Sequence, residues 1–471
     1  MANSLSGFRV LEVAAWTFVP AAGAVLADWG ADVIKVENPE GGDPQRGLIS
    51  MGLIPGGPGA VNYIIEQPNR GKRSIGLDIS TDGGRDLLYK LAETSDVFLT
   101  SFLPSTRQRL QIDVEHIRAV NPNIVYARGT GQGPYGPDRG KGGYDGATYW
   151  ARGGVANALT PADSEFPIGG RPAFGDLAGG MAIAGGIAAG LLQRATTGEA
   201  PVVDVSLLGL AMWMLSPDIV ASGLYGGDPM PKFNRSSSPN PLVGNYQTKD
   251  GRFITLMMLQ SDRFWPDFCE HIGRPDLIED PRFIDGAARY TNGKECVAVI
   301  DEVFKSKTFA EWKEALATLS GVWAPGQMAS ELVDDPQVGA NGYLSRVDRA
   351  DGKSYDLVAN PVQMNQTADQ LTAAPEHGQH TEEILLELGL DWDAITALSL
   401  IHISAVCRGC RSPPRRQGGS AGPRTPLGSA PSGRWRLRPS CWVVRSGCWS
   451  WPRSTPRIGS SSAYRSGASR P

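Results

Sequence analysis

The sequence predicts an α/β protein built on a doubly wound parallel sheet, with a smaller α+β domain inserted before its closing elements. Three observations predict it. Over the first ~130 residues, short apolar runs alternate with helix-length segments, the pattern of parallel strands joined by helical crossovers. From residue 245 a hairpin pattern followed by helices takes over. After residue 330 strand-rich sequence returns and ends in a helix.

FRVLEV (8–13) reads as the first strand, Pro20–Gly30 as a helix and ADVIKVE (31–37) as the second strand, which together make a βαβ unit. KRSIGLDI (72–79) is another strand, GGRDLLYKLAETS (83–95) a helix and DVFLTSF (96–102) a strand. HIRAVNP (116–122) and NIVYARGTG (123–131) repeat the helix–strand pair. This is a Rossmann-like layer, but AAWTFVPAAG stands where a dinucleotide fold would carry GxGxxG, so ordinary NAD binding is weakly supported. Gly131–Gly154 reads as Gly-rich loops lining a site. RPAFGDLAGGMAIAGGIAAGLLQR (171–194) is a helix of small apolar residues opened by one carboxylate, Asp176. VVDVSLLGLAMWMLSP (202–217) reads as strand then helix. The predicted organisation is a large domain over 1–217, a Pro/Gly/Ser-rich linker over 218–244, a small domain over 245–330 and a return to the large domain over 331–397. The small domain opens on NYQTKDGRFITLMM, a hairpin around Asp250-Gly251, and the body closes on the helix HTEEILLELGL (380–390).

A chain of 471 residues, 41% hydrophobic and 20% charged, fits two or three globular domains. A bilayer span needs ~20 apolar residues. The best candidate, 177–193, is short and flanked by Asp176 and Arg194, so it is expected to be a buried helix, with no membrane partner. The start, MANSLSGFRVLEV, lacks a basic region followed by an apolar core, and the expected location is cytoplasmic. Net charge is −4, unevenly spread: residues 405–471 hold 13 Arg and no Lys, Asp or Glu, leaving 32 basic and 49 acidic residues in the remainder. An acidic body argues against a nucleic-acid partner. The segment 405–471 also carries four of the six Cys and four Trp, the composition of a GC-rich gene read out of frame. Residues 398–471 are therefore expected to be a non-native or disordered tail, with the authentic protein ending near Ala397. CRGC in that tail has no second pair at ligand spacing, so no metal site is expected. Cys269 and Cys296 show no pairing pattern and read as reduced bystanders.

On its own residues, Gly175-Asp176 before an apolar run reads as an ordinary helix N-cap. Five motifs in register change that reading. LSGFRVLEVAAWTFVPAAGAVLADWGADVIKVENPEGGDPQRG, NRGKRSIGLDI, GYD, FGDLAGGMAIAGGIAAGLLQRATTGE and EHGQHTEEILLELGL occur in order, and from about residue 5 to 397 the chain resembles the family III CoA-transferases, the group of formyl-CoA and carnitine CoA-transferases. The related alpha-methylacyl-CoA racemase shares the fold. The resemblance implies an interlocked homodimer, an acyl-CoA and a free carboxylic acid as partners, coenzyme A as co-substrate with no tightly bound cofactor, and Asp176 as the nucleophile that forms an aspartyl-CoA thioester. Two expectations attach to that role. The helix N-terminus favours the ionised carboxylate, and Gly175, Gly179 and Gly180 let a thioester oxyanion approach backbone N–H donors.

The resemblance also carries CoA contacts onto Thr17, Asn38, Leu77, Ser80, Ser101, Phe102, Arg109, Lys141, Tyr144 and Asp145. Asn38 stands where formyl-CoA transferase has an Arg, and Ser101 replaces an Asn. Arg109 matches a phosphate-binding Arg, whose fork donates bidentately. Arg70, Lys72 and Arg73 read either as further phosphate contacts or as a solvated turn. Trp16 and Trp150 read as acyl-pocket walls or as packing. His377 and His380 read as structural. The racemase alternative needs a His at the position of Tyr144, and a Tyr is a poor base near neutral pH, which favours transfer. A non-catalytic CoA-binding protein is the third reading. The acids exchanged are expected among 2-hydroxy, aryl or bile-type acids. No run of glycines falls within 220–260, which makes oxalate a poor candidate.

Overall fold

A computed structural model of the chain describes residues 4–56, 61–162, 164–228, 230, 235, 238–348 and 352–399. All of the predicted tail from residue 400 onward lies outside the described residues.

Six strands form one parallel sheet: β1 (Arg9–Val13), β2 (Asp32–Glu37), β3 (Arg73–Gly76), β4 (Val97–Thr100), β5 (Val125–Thr130) and β6 (Val202–Ser206). Their spatial order is β3-β2-β1-β4-β5-β6, with Val10 of β1 opposite Val33 on one side and Val97 on the other. Val10, Leu11 and Val13 are buried whichever face they point to, as a strand covered on both sides requires. The strand order reverses between β1 and β4, and such a reversal opens a crevice at the carboxyl ends of the strands.

One face of the sheet is covered by the first helix, Phe18–Asp28, and by the long helix, Phe174–Thr197. Their backbones nearly touch: a Cβ on Gly180 would lie 2.6 Å from Ala21 Cβ and 3.0 Å from the Ala22 nitrogen. The long helix has the length and composition of a bilayer span. Here Ile183, Ala184, Ile187 and Leu191 pack it against Val125 and Ala127 of β5. The expected burial is confined to that face, and Leu192 on the other is 65% exposed.

The opposite face of the sheet packs Leu11, Ile34, Ile75, Phe98 and Tyr126 against Leu87, Leu88 and Leu91 of the helix Asp82–Glu93. Ile384 and Leu385 from the helix Thr381–Glu387 complete this layer, so the end of the body returns to the first sheet.

A separate core forms over β7 (Val243–Gln247), β8 (Phe253–Met257) and β9 (Trp323–Pro325), around Trp265, Phe268, Phe304 and Trp312. The hairpin turns at Asp250-Gly251 as the sequence predicts, with Gly251 at φ 77°. A further antiparallel pair, β10 (Leu344–Asp348) with β11 (Ser354–Val358), follows. The stretch 218–244 read as linker begins instead inside a helix, Ser216–Leu224. Pro217 in its first turn is pre-set for helix geometry. The helix buries none of its residues, so no amphipathic stripe marked it in the sequence.

Candidate active site

The site is built where β1, the turn after it and the start of the long helix meet. After β1 the chain passes through Ala14–Thr17 into the first helix, and Trp16 takes φ 72°, a conformation a bulky side chain rarely adopts. Side chains from elsewhere hold every step of this turn. Lys35 Nζ donates to the Ala14 carbonyl at 2.9 Å, and the Ala15 N–H donates to Ser101 Oγ at 3.1 Å. The Trp16 N–H donates to Asp43 Oδ1 at 3.1 Å, and Thr17 Oγ1 donates to Gln45 Oε1 at 2.9 Å.

The holding groups are part of a buried ion network. Lys35 pairs with Glu12 at 3.1 Å and with Asp43 at 3.0 Å, and Lys72 pairs with Glu12 at 2.7 Å. Lys72 also donates to the Pro20 carbonyl at 2.8 Å. Gly23 on the first helix leaves room for it, since a Cβ there would overlap Glu12 Oε2 and approach the end of Lys72. Burial works against the Lys35 ammonium, but Asp43, Glu12 and Glu37 outweigh it and push its pKa up. Lys72 has less help, and burial lowers it to about 8.

The long helix begins differently from the simple reading. Its cap position is Ala173, at φ 60°, with no side-chain cap bond, and Asp176 lies inside the first turn. The capping carboxylate comes from Asp145, whose Oδ1 accepts the Gly175 N–H at 3.1 Å. Asp145 leads into a π-helical segment, Gly146–Arg152. Asp176 is thus relieved of capping. Burial, and then the charge of Asp145, push its carboxyl up to about 7. This reverses the expectation of a carboxylate favoured in its ionised form: desolvation and a like charge outweigh the helix terminus. Burial also raises Asp145, against the pull of the Gly175 and Phe174 N–H groups.

The glycines after Asp176 serve packing. A Cβ on Gly175 would overlap the Tyr149 ring, and one on Gly179 would overlap the Phe18 ring. Together with Gly180 against Ala21 they let the long helix seat.

Two cavities meet at Asp176. The larger, about 460 Å³, is walled mainly by apolar groups including Leu48, Ile54, Ile64, Trp150 and Ile168. The smaller, about 260 Å³, lies at the β1/β4 reversal and includes Ser101, Phe102, Gly131 and Gly143. Asp176, Trp16 and Tyr144 line both. The rings of Trp16 and Tyr144 meet edge to face, centroids 5.5 Å apart at 87°.

Of the predicted contacts, Thr17, Ser101, Phe102, Tyr144 and Asp145 surround these cavities with Asp176. Asn38, Leu77, Ser80, Arg109 and Lys141 line neither. Leu77 is buried in the core, Ser80 closes a turn on Asp78, and Lys141 pairs with Asp138 at 2.7 Å. Asn38 is exposed, and its carbonyl faces His377 Nε2 at 2.9 Å. Arg109 stands exposed on the helix Pro104–Leu110, while its neighbour Arg107 is buried against Asp113. Arg70, Lys72 and Arg73 are engaged by carboxylates within the fold and line neither cavity. Arg70 pairs with Asp28 at 2.6 Å, Lys72 with Glu12, and Arg73 with Asp32 and Glu387. His380 is structural, its Nδ1 accepting the Ser74 N–H at 3.1 Å. Trp16 and Trp150 are walls of the larger cavity. Cys269 and Cys296 are free and buried, each thiol pushed up to about 12 by burial.

Sequence reasoning missed Gln45, Leu48, Ile54, Ile64 and Ile168. One signal was present for the first of these: Asp43-Pro44 is a helix-start pair, and Asp43 caps the short turn Pro44–Gly47 by accepting the Gln45 N–H.

Residues 5–381 match CoA-transferase family III. The (R)-2-hydroxy-4-methylpentanoate CoA-transferase of Clostridioides difficile is 31% identical over 394 residues, covering 83% of this chain and 97% of that protein. The cinnamoyl-CoA:phenyllactate CoA-transferase of Clostridium sporogenes is 32% identical over 395 residues, covering 82% and 94%. The crystal structure of a CaiB/BaiF family protein from Brucella suis has a TM-score of 0.70 and 28% identity, covering 82% of this chain and all of that one. The chain belongs to CoA-transferase family III, whose members exchange CoA between acyl-CoA thioesters and acids.

Proposed function

We propose that this CoA-transferase works through covalent catalysis at Asp176. The observation that carries the reading is a carboxyl with a pKa raised to about 7, placed where two cavities meet and not used for capping. Near neutral pH a large share of it is ionised, yet burial leaves that carboxylate poorly solvated and reactive.

The ionised Asp176 attacks the carbonyl carbon of the acyl-CoA thioester. The C–S bond breaks, CoA leaves as thiolate, and a mixed anhydride forms on Asp176. The thiolate then attacks the Asp176 carbonyl carbon, and the donor acid departs as a carboxylate. The aspartyl-CoA thioester passes CoA to the acceptor carboxylate by the same two steps in reverse. The cavity at the β1/β4 reversal suits the CoA arm, because it opens at the carboxyl ends of the strands. The larger, apolar cavity suits the acyl group. Its lining fits an aryl or branched 2-hydroxy acid, the kind of acid named for the two relatives above.

The partner expected from the family is a second copy of the chain. Met212, Trp213, Met214, Val220, Leu224 and Tyr225 leave an apolar surface for it along two consecutive helices.

Intact-protein mass spectrometry after incubation with a panel of acyl-CoAs tests the mechanism. The expected result is a CoA-sized adduct that maps to Asp176 and vanishes in Asp176→Ala. Solvent deuterium incorporated at the substrate α-carbon without any adduct would replace this reading with a racemase.

A further inference from the structure

Between the two cavities stands one side chain whose backbone conformation is imposed from outside. Trp16 has φ 72°. Left to local preference, a Trp avoids this region, because its Cβ crowds the backbone there. The turn is kept in place by groups remote in sequence: Asp43 on the Trp16 N–H, Lys35 on the Ala14 carbonyl and Ser101 on the Ala15 N–H. Asp43 and Lys35 pair with each other at 3.0 Å and have fully buried side chains. The result is an indole set edge-on against Tyr144, with both rings lining both cavities beside Asp176.

We propose that Trp16 is the specificity-determining wall of the acyl cavity, and that Asp43 is its positioning residue. The inference rests on the reading of Asp176 as the acyl-transfer centre. In that reading the thioester carbonyl must reach Asp176 with its CoA arm in one cavity and its acyl group in the other. The indole beside Asp176 then limits how bulky an acyl group reaches the carboxyl, and supports a compact one so that it does not slide toward the CoA arm. Asp43 touches no substrate. It acts by holding the Trp16 N–H, and so the direction in which the ring leaves the backbone.

The test compares a small donor, acetyl-CoA, with a bulky one, cinnamoyl-CoA, on the full-length enzyme. The readout is kcat/KM for formation of the Asp176 adduct. Trp16→Gly removes the wall and suits the positive φ, so the turn keeps its shape. It should raise the bulky-to-small ratio about ten-fold or more, the scale on which one or a few methylenes are discriminated. Trp16→Phe retains a shorter wall and should move the ratio in the same direction by about three-fold. Asp43→Ala, which removes the acceptor of the Trp16 N–H, should also raise the ratio, with KM for the small donor rising more than kcat falls. A purely structural role for either residue predicts equal losses for both donors and an unchanged ratio, and that outcome overturns the inference while the adduct stands. Absence of any adduct in the unaltered enzyme overturns the reading of Asp176, and this inference with it.

Discussion

Two groups of buried charge lie in the same half of this molecule and are built in opposite ways. Around Lys35 and Lys72, cations alternate with Glu12, Asp43 and Glu37, and backbone carbonyls and Asn69 Oδ1 accept from the lysines as well. Burial would raise Glu37, but Arg46 and Lys35 outweigh it and hold its carboxyl at about 2. At the start of the long helix, Asp145 and Asp176 line one cavity, the charge of Asp145 acts on Asp176, and both carboxyls rise. The first arrangement satisfies its charges and holds a turn. The second leaves a like charge that helps to raise Asp176, a perturbation of the kind that clusters at functional sites. Burial alone does not distinguish scaffold from chemistry, whereas the sign of the neighbours does.

The largest test of this contrast is Asp176→Asn, which preserves shape and removes the carboxylate proposed as nucleophile. Transferase activity should fall at least ~10⁴-fold in steady-state assays, as for loss of a covalent catalyst, with folding intact by circular dichroism. The companion change on the scaffold side is Lys35→Met. It leaves Asp43 buried without its cation and Glu12 with Lys72 alone, and unfolding in urea should show a loss of ~3–5 kcal/mol. Activity below the unfolding midpoint should fall far less than in Asp176→Asn. If Lys35→Met removes activity and spares stability, the assignment of the two clusters is inverted.

The pH dependence sharpens the comparison. The rate of adduct formation in free enzyme should rise with pH through about 7 as Asp176 ionises. Asp145→Asn still offers an oxygen to the Gly175 N–H but removes the like charge, so this limb should move to lower pH. The sign for stability follows from the same shift. The folded pKa of Asp176 lies above its ordinary value of 3.8, so folding costs free energy once the unfolded carboxyl ionises. Asp176→Asn should therefore match the unaltered protein near pH 3 and gain on it in melting temperature from pH 4 to 7, then hold that gain. Arg109→Ala carries the smallest expected effect. It removes an exposed guanidinium that would meet a CoA phosphate, so KM for CoA thioesters should rise about ten-fold in steady-state assays with kcat nearly unchanged.

The strands of the first sheet were legible because apolar runs bounded by turns mark buried parallel strands, and FRVLEV and ADVIKVE pair in the structure as they read in the sequence. Asp176 was legible only through its motif, since on local pattern it reads as a cap. That Asp145 would take the cap from thirty residues away was not legible, because the two are joined by folding and not by spacing. The same holds for Arg70, Lys72 and Arg73. Three cations within four residues look like a phosphate site until Asp28, Glu12 and Asp32 arrive from other elements. Trp16 gave no sign of its backbone strain, which is imposed by Asp43, Lys35 and Ser101.

The return of the chain end onto β3 has a consequence for synthesis. Ser74 is bonded to His380 across 306 positions, Ala374 to Glu66 across 308, and Arg73 to Glu387 across 314. The flank of the first sheet thus stays unsealed while some 300 further residues are translated, roughly 15–60 s at ordinary ribosome speeds. Once β6 is made, all six strands are present beside an apolar seam that stays open until Ile384 and Leu385 follow. A ribosome stalled before residue 387 releases a protein whose defect lies at its beginning.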